Sequence, residues 1–141
     1  MRILGIDPGE KRIGTAVSDP GGRFAKPLTI LMHTARDADA EKIADLAKTY
    51  QVERIVVGQA TDMEGKPNLS GRRAARLAAA VRTRTEIPVE LWDESFSSQE
   101  ADRLLVQIGA GKKKRRAPKD DIAAARILQS YLDAKMIDTQ G

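Results

Sequence analysis

The chain has 141 residues, of which 41% are apolar and 31% are charged, so it has the size and composition of one globular domain with a sizeable core. The absence of cysteine excludes disulfides, thiolate zinc sites and cysteine nucleophiles, and a single histidine, His33, gives a Ser-His-Asp triad almost no support. The 24 lysines and arginines outnumber the 20 acidic residues, and the net charge of +4 is compatible with a polyanionic partner without establishing one.

Membrane and export signals are also missing from the sequence. No apolar run approaches the length that spans a membrane, and the N-terminus has the pattern of a strand, not that of a signal peptide. We therefore expect a cytoplasmic protein that has no membrane contact and no disulfide partner.

The first predicted element is a β-hairpin. Two apolar runs, Arg2–Ile6 and Ile13–Val17, flank the turn residues Asp7-Pro8-Gly9. Asp7 follows the first run directly, so its carboxylate is expected at the edge of a sheet, and Gly14 removes a side chain beside it. A phosphate or a metal-bound substrate could then come close, although an ordinary turn would use the same residue types.

The remaining elements alternate between strands and helices. Periodicity and turn residues predict, in chain order, a strand over Pro27–Met32, a helix over Asp37–Tyr50, a strand over Val52–Val57, an exposed loop over Gln59–Pro67, a helix from about Ser70 to Arg84, a strand over Pro88–Trp92, a helix from Ser97 to about Ile108, and a helix from Pro118 to about Met136. This order predicts an α/β fold for residues 1–141 as a single domain. Its mixed five-stranded sheet begins with a three-strand antiparallel meander, continues with parallel strands, and carries helices on both faces.

Acidic residues interrupt the chain at three informative places: Asp7 after the first strand, Asp93-Glu94 after the last strand, and Asp120-Asp121 at the start of the final helix. Each has an ordinary explanation as a turn, a loop entry or a helix cap. Ligands collect outside the carboxyl ends of strands, however, and an oxygen-rich site favours Mg²⁺ or Mn²⁺. Two such ions about 4 Å apart clamp the oxygens in phosphodiester cleavage.

Two groups of basic residues adjoin these acids. Lys11 and Arg12 lie in the hairpin turn, and a run of five cations (Lys112, Lys113, Lys114, Arg115 and Arg116) precedes the acidic pair of the last helix. A charge run is usually a solvated loop, but here it would stand at the mouth of the acidic pocket and could contact phosphate. For a third group, Arg72, Arg73 and Arg76, we favour an ordinary solvated helix face.

The hairpin run Asp7-Pro8-Gly9-Glu10-Lys11-Arg12-Ile13-Gly14-Thr15-Ala16 resembles the opening signature of the YqgF-type proteins, described as Holliday junction resolvases and as pre-16S rRNA nucleases. Further matches follow in the family's order over essentially the whole chain: Val56-Val57-Gly58, Met63-Glu64-Gly65, Asp93-Glu94 with Ser97 and Ser98, and Asp120-Asp121-Ile122-Ala123-Ala124 leading into Ile127-Leu128-Gln129-Ser130-Tyr131.

The resemblance implies an RNase H-like fold and a metal-dependent nuclease. It assigns catalysis and the binding of one or two Mg²⁺ or Mn²⁺ ions to Asp7, Glu94 and Asp120, with Asp93 and Asp121 as the alternatives to the last two. It also implies nucleic-acid contacts by Lys11 and Arg12, and the basic run Lys112–Arg116 is the stronger candidate for such contacts.

The expected reaction is hydrolysis of phosphodiester bonds in structured nucleic acid, either at the 5′ end of pre-16S rRNA or at a Holliday junction. The chain would act as a monomer or a homodimer. DNA or RNA, endonuclease or exonuclease, and Mg²⁺ or Mn²⁺ remain open at this point. Two other functions are also considered. One is a non-catalytic nucleic-acid-binding or ribosome-binding factor. The other is an actin-like nucleotide-binding module, because Asp7-Pro8-Gly9 with Gly14 also resembles the first phosphate loop of such modules.

Overall fold

The computed structural model describes residues 1–61, 64–93 and 119–140, and the side chains of 122–135 within the last range. The strands are β1 (Ile3–Pro8), β2 (Arg12–Ser18), β3 (Ala25–Met32), β4 (Arg54–Gln59) and β5 (Val89–Asp93), and the helices are α1 (Arg36–Thr49), α2 (Leu69–Arg82) and α3 (Lys119–Gln140). The predicted helix from Ser97 to Ile108 and the basic run Lys112–Arg116 lie outside the described residues.

The strands form one mixed sheet in the order β3-β2-β1-β4-β5. β1, β2 and β3 are antiparallel neighbours, whereas β4 lies parallel to β1 and β5 lies parallel to β4. The parallel pairs follow from the intervening helices, because a chain that returns parallel to a strand needs a long crossover. The predicted mixed sheet, with its antiparallel meander, is confirmed.

Alternation along β1 divides the interior into two cores. Leu4 and Ile6 pack with the apolar faces of α1 and α2, whereas Ile3 packs with α3 on the other side of the sheet. Gly5 also faces α3, and a Cβ atom at this position would lie 2.8 Å from Cβ of Leu128. The helix can therefore approach the central strand closely because residue 5 has no side chain.

α3 runs antiparallel to β1. Near the start of the sheet, the Tyr131 hydroxyl lies 2.6 Å from Nη1 of Arg54, the residue paired with Ile3, and donates to Oε2 of Glu90 at 2.8 Å. Nearer the carboxyl end of β1, Gly5 meets the earlier turn of the helix. The N-terminal end of α3 therefore points toward the carboxyl end of β1.

Most predicted boundaries differ from the structure by one or two residues. β4 begins at Arg54 instead of Val52, because Gln51 has a φ of 53° and the Val52 N–H donates to the Ala47 carbonyl, so both close the C-terminus of α1. α2 begins at Leu69, before the predicted Ser70, because the Asn68 side chain accepts from the Gly71 N–H at 2.9 Å.

Candidate active site

The turn that follows Asp7 is tight and depends on a glycine. The Gly9 N–H donates to the Arg12 carbonyl at 3.0 Å, and a Cβ atom on residue 9 would lie 2.5 Å from that oxygen. Lys11 also uses its carbonyl, which accepts from the His33 N–H at 2.9 Å and ties the end of β3 to the turn. The predicted hairpin is confirmed, and its geometry fixes the end of β1.

Asp7 lies on the α3 side of the sheet, half-buried, because it follows Ile3 and Gly5 in the alternation of β1. Its partner on β2 is Gly14. On β4, Gly58 follows Val57, which is the partner of Ile6. Asp7 therefore has glycine beside it on both neighbouring strands, and the sheet surface around its carboxylate carries few side-chain atoms.

Asp93, at the end of β5, points to the opposite face. Glu90 and Trp92 contact α3 through the Tyr131 hydroxyl and the Ser130 hydroxyl, while Leu91 packs with α1 and α2. Asp93 accordingly accepts a hydrogen bond from the Thr61 hydroxyl at 2.9 Å. Of the two acids that end the last strand, Asp93 is turned away from the face of Asp7.

The other proposed ligands are only partly covered by the structure. The backbone of Asp120 belongs to the first turn of α3, whereas its side chain, that of Asp121 and all of Glu94 lie outside the described part. Within residues 1–61, 64–93 and 122–135, no three acidic or histidine side chains are grouped so that they could hold a metal ion. The predicted three-carboxylate site therefore stays a prediction.

Basic residues surround the same end of β1. Lys11 is exposed in the turn, as expected, whereas Arg12, also exposed, is the first residue of β2. Among the arginines of α2, Arg72 and Arg76 are exposed and Arg73 is half-buried. Arg73 and Arg76 also line a pocket of about 350 Å³ together with Arg36 of α1, and Arg72 does not line it. Little in the sequence indicates this group of three, because Arg36 lies on a different helix from Arg73 and Arg76.

His33 follows β3, in the predicted loop, and has a specific partner there. Its Nδ1 contacts Oδ2 of Asp39, a carboxylate that is 1% exposed, and the Thr34 N–H donates to the other oxygen of that carboxylate at 3.1 Å. Sequence analysis did not single out Asp39, because an acid in the first turn of a helix looks like an ordinary helix-dipole contact.

Similarity to known proteins shows the family of this chain. A family model described as "RuvX: Holliday junction resolvase" matches residues 1–134. The chain belongs to the RuvX family. This family is one of nucleases, so the chain is a hydrolase of phosphodiester bonds.

Relatives of this RuvX-family chain support the assignment over most of its length. It is 42% identical over 134 residues to a protein of Syntrophus aciditrophicus, covering 95% of the chain and 89% of the relative. It is 41% identical over 133 residues to one of Syntrophomonas wolfei, covering 94% of each. Both relatives carry the name "Putative pre-16S rRNA nuclease".

Solved structures confirm the fold expected of an RNase H-like protein. Thermus thermophilus RuvC, solved in complex with a Holliday junction substrate, has a TM-score of 0.69 at 16% identity over 96% of each chain. The fowlpox virus resolvase, solved with Holliday junction DNA, has a TM-score of 0.61 at 15% identity over 96% of this chain and 99% of its own. Among the described helices, none is both long and apolar enough to cross a membrane.

Proposed function

We propose that this RuvX-family nuclease depends on one or two Mg²⁺ or Mn²⁺ ions held by Asp7, Glu94 and Asp120. The observation that carries the proposal is the position of Asp7, a half-buried carboxylate at the carboxyl end of the central parallel strand, with glycine on both neighbouring strands and α3 on the same face. Such a position leaves room for a cation and a phosphate together.

The donor set fits these metals. Carboxylate oxygens are the ligands that Mg²⁺ and Mn²⁺ prefer, and the chain contains no cysteine that would draw a softer metal. When bound, such ions supply a water of lowered pKa and stabilise the leaving oxygen of a phosphodiester. The protein's own part is to fix the carboxylates and to orient the phosphate.

The faces of the sheet support the choice among the acids. Asp93 is committed to Thr61 on the face away from Asp7, so the proposal uses Glu94. Asp120 and Asp121 precede Ala124 by about one helical turn, and the Ala124 carbonyl lies close to Gly5, next to Leu128. The antiparallel direction of α3 supports a ligand from its first turn, and the family resemblance selects Asp120.

Phosphate contacts are assigned to the cations that lie close to these acids in the sequence. Lys11 precedes β2 and Arg12 begins it, both are exposed, and we propose that they contact the strand being cleaved. The run Lys112–Arg116 would add contacts on the side of Asp120. Each phosphate that a cation neutralises releases counterions, so binding should weaken with salt.

The proposed substrate is the 5′ end of a pre-16S rRNA, because the relatives at about 40% identity carry that name. The description of the family model favours a second candidate, the Holliday junction. A junction requires two coordinated cuts and therefore a symmetric pair of active sites, whereas one-ended processing of RNA is possible for a monomer. Either substrate places the enzyme in the cytoplasm.

A cleavage assay tests the proposal on three substrates: a precursor rRNA with its 5′ extension, a four-way DNA junction and an unstructured single strand. We expect cleavage of a structured substrate with Mg²⁺ or Mn²⁺ and none in EDTA. Asp7→Asn should lower the rate by about a hundredfold or more, the scale seen when one charge-stabilising group is removed from an active site.

The matched control for this assay is Asp45→Asn, which makes the same chemical change at an exposed position of α1. This variant should retain full activity. Undiminished cleavage by Asp7→Asn, or cleavage that persists in EDTA, would contradict the proposed mechanism. A folded protein that binds these nucleic acids and cuts none of them would favour the non-catalytic alternative.

A further inference from the structure

The pocket on the α1 and α2 side of the sheet has a composition that suits an anion. It opens beside Pro8 and Gly9, next to Asp7 in the chain, and is lined by His33, Arg36, Arg73 and Arg76. Its volume of about 350 Å³ lies at the small end of the ~300–1,000 Å³ range of ligand pockets.

Three arginine residues from two helices line this pocket. Within the described part of the chain, Arg36 and Arg76 have no ion pair and no side-chain hydrogen bond. Arg73 is paired at 3.6 Å with Glu10, but the Glu10 side chain is 77% exposed, so this ion pair is weakened by water and salt. Like charges that converge in this way repel each other, and a bound anion would relieve the repulsion.

The acidic group in the lining does not neutralise the arginines. The Asp39 carboxylate is 1% exposed and is already satisfied by Nδ1 of His33 on one oxygen and by the Thr34 N–H on the other. The negative charge of Asp39 is therefore stabilised by the His33 ring and the Thr34 backbone amide. The pocket presents a surplus of positive charge.

We propose that this pocket binds a phosphate group. Arginine favours phosphate because its planar guanidinium donates two parallel hydrogen bonds to a pair of phosphate oxygens. The two sources of that chemistry are the backbone of the nucleic acid that occupies the active site and a free phosphorylated ligand. The first source rests on the proposed function, since Pro8 and Gly9 join the pocket to the strand end that carries Asp7.

Nucleic-acid binding in EDTA tests the site without requiring cleavage, so its failure can be distinguished from failure of the nuclease proposal. The variant is Arg36→Ala with Arg76→Ala, and the matched control is Arg23→Ala with Arg72→Ala, which removes the same charge from exposed positions outside the pocket. Loss of two phosphate contacts should make the slope of log K against log salt shallower by about 1.4 to 1.8. The control should leave the slope unchanged.

A second arm measures the rise in melting temperature caused by inorganic phosphate, against chloride at equal ionic strength. Wild type and the control should be stabilised by phosphate, and the pocket variant should not. An effect confined to this arm identifies a free phosphorylated ligand, whereas an effect on the salt slope identifies the nucleic-acid backbone.

Arg76→Lys distinguishes specific phosphate binding by a guanidinium group from non-specific electrostatic attraction, because it keeps the positive charge and removes the paired hydrogen-bond donors. We expect it to weaken binding in whichever arm responds. Equal behaviour of the pocket variant and the control in both arms, with no effect of Arg76→Lys, would overturn the proposal.

Discussion

At the end of β1, the two faces of the sheet carry groups of opposite charge. On the α3 face, Asp7 stands between glycines and an approaching helix. On the α1 and α2 face, the next residues of the chain border a pocket lined by three arginines. One strand end thus serves a carboxylate site and a basic site because successive residues of a strand point to opposite sides.

This difference shows how a small nuclease can separate two electrostatic tasks. Cations near a carboxylate lower its affinity for a metal ion by competing for the same oxygens and by repelling the ion. In this fold the sheet lies between the arginines and Asp7, so the basic pocket can attract phosphate without occupying the metal ligands.

The largest effect that would break this comparison comes from replacing each of the adjacent acids Asp93 and Glu94 in turn. Glu94→Gln should lower cleavage by about a hundredfold or more, because the proposal assigns a metal ligand to it. Asp93→Asn should retain activity within a few fold, because Asp93 contacts Thr61 on the other face. Steady-state cleavage rates of the two variants check this, and the reverse order would assign the metal site to Asp93.

A smaller effect is expected from Gly5→Ala, which adds a methyl group against α3. The new Cβ would lie 2.8 Å from Cβ of Leu128 and 3.3 Å from the Ala124 carbonyl oxygen, so the helix must shift. We expect a loss of about 1–3 kcal/mol in the free energy of unfolding and an additional fall in cleavage rate per folded molecule.

Ile6→Val is the control for this variant, since Ile6 is fully buried on the opposite face. It should cost about 0.5–1.5 kcal/mol and leave the rate per folded molecule unchanged. Denaturant titration and cleavage kinetics on the same samples distinguish the two. If Gly5→Ala lowered the free energy of unfolding but not the cleavage rate per folded molecule, α3 would not position a catalytic group.

The smallest effect on the cleavage rate concerns Tyr131, far from the Asp7 end of the sheet. Tyr131→Phe removes the hydroxyl contacts with Arg54 and Glu90 and should lower the free energy of unfolding by about 1–3 kcal/mol. The cleavage rate per folded molecule should be unchanged. Burial raises the pKa of the Tyr131 hydroxyl above the ordinary tyrosine value of 10.0. The folded state therefore holds this proton more tightly than the unfolded state.

The sign of the pH dependence follows from that shift. The contribution of Tyr131 to stability is fully present below pH 10 and is lost as the pH rises through the folded-state pKa. Unfolding free energies of wild type should fall more steeply between pH 9 and 11 than those of Tyr131→Phe. Parallel curves would show that the hydroxyl has the same affinity for its proton in both states.

Much of the fold could be predicted from sequence because each strand is a short apolar run that ends in a turn. The error at Val52 arose because an apolar residue can close a helix as easily as it can open a strand, and the left-handed Gln51 before it carries no sequence signal. The parallel direction of β4 and β5 followed from the lengths of the connections that precede them.

The candidate site was predictable only in part. The position of Asp7 at the end of the first strand could be predicted because Pro8 and Gly9 follow it, but Asp93 and Glu94 are adjacent acids, and the face that Asp93 occupies depends on the register of β5. The basic pocket could not be found, because Arg36, Arg73 and Arg76 lie on two helices and each resembles an ordinary solvated residue in its own segment. Such constellations form only when the helices pack.

The most direct test of the central claim is the binding of Mn²⁺ to the folded protein, measured by titration calorimetry in the absence of nucleic acid. The account predicts that wild type and Asp45→Asn bind Mn²⁺ and that Asp7→Asn loses this binding while keeping the melting behaviour of a folded domain. Equal Mn²⁺ affinity in wild type and Asp7→Asn would contradict it.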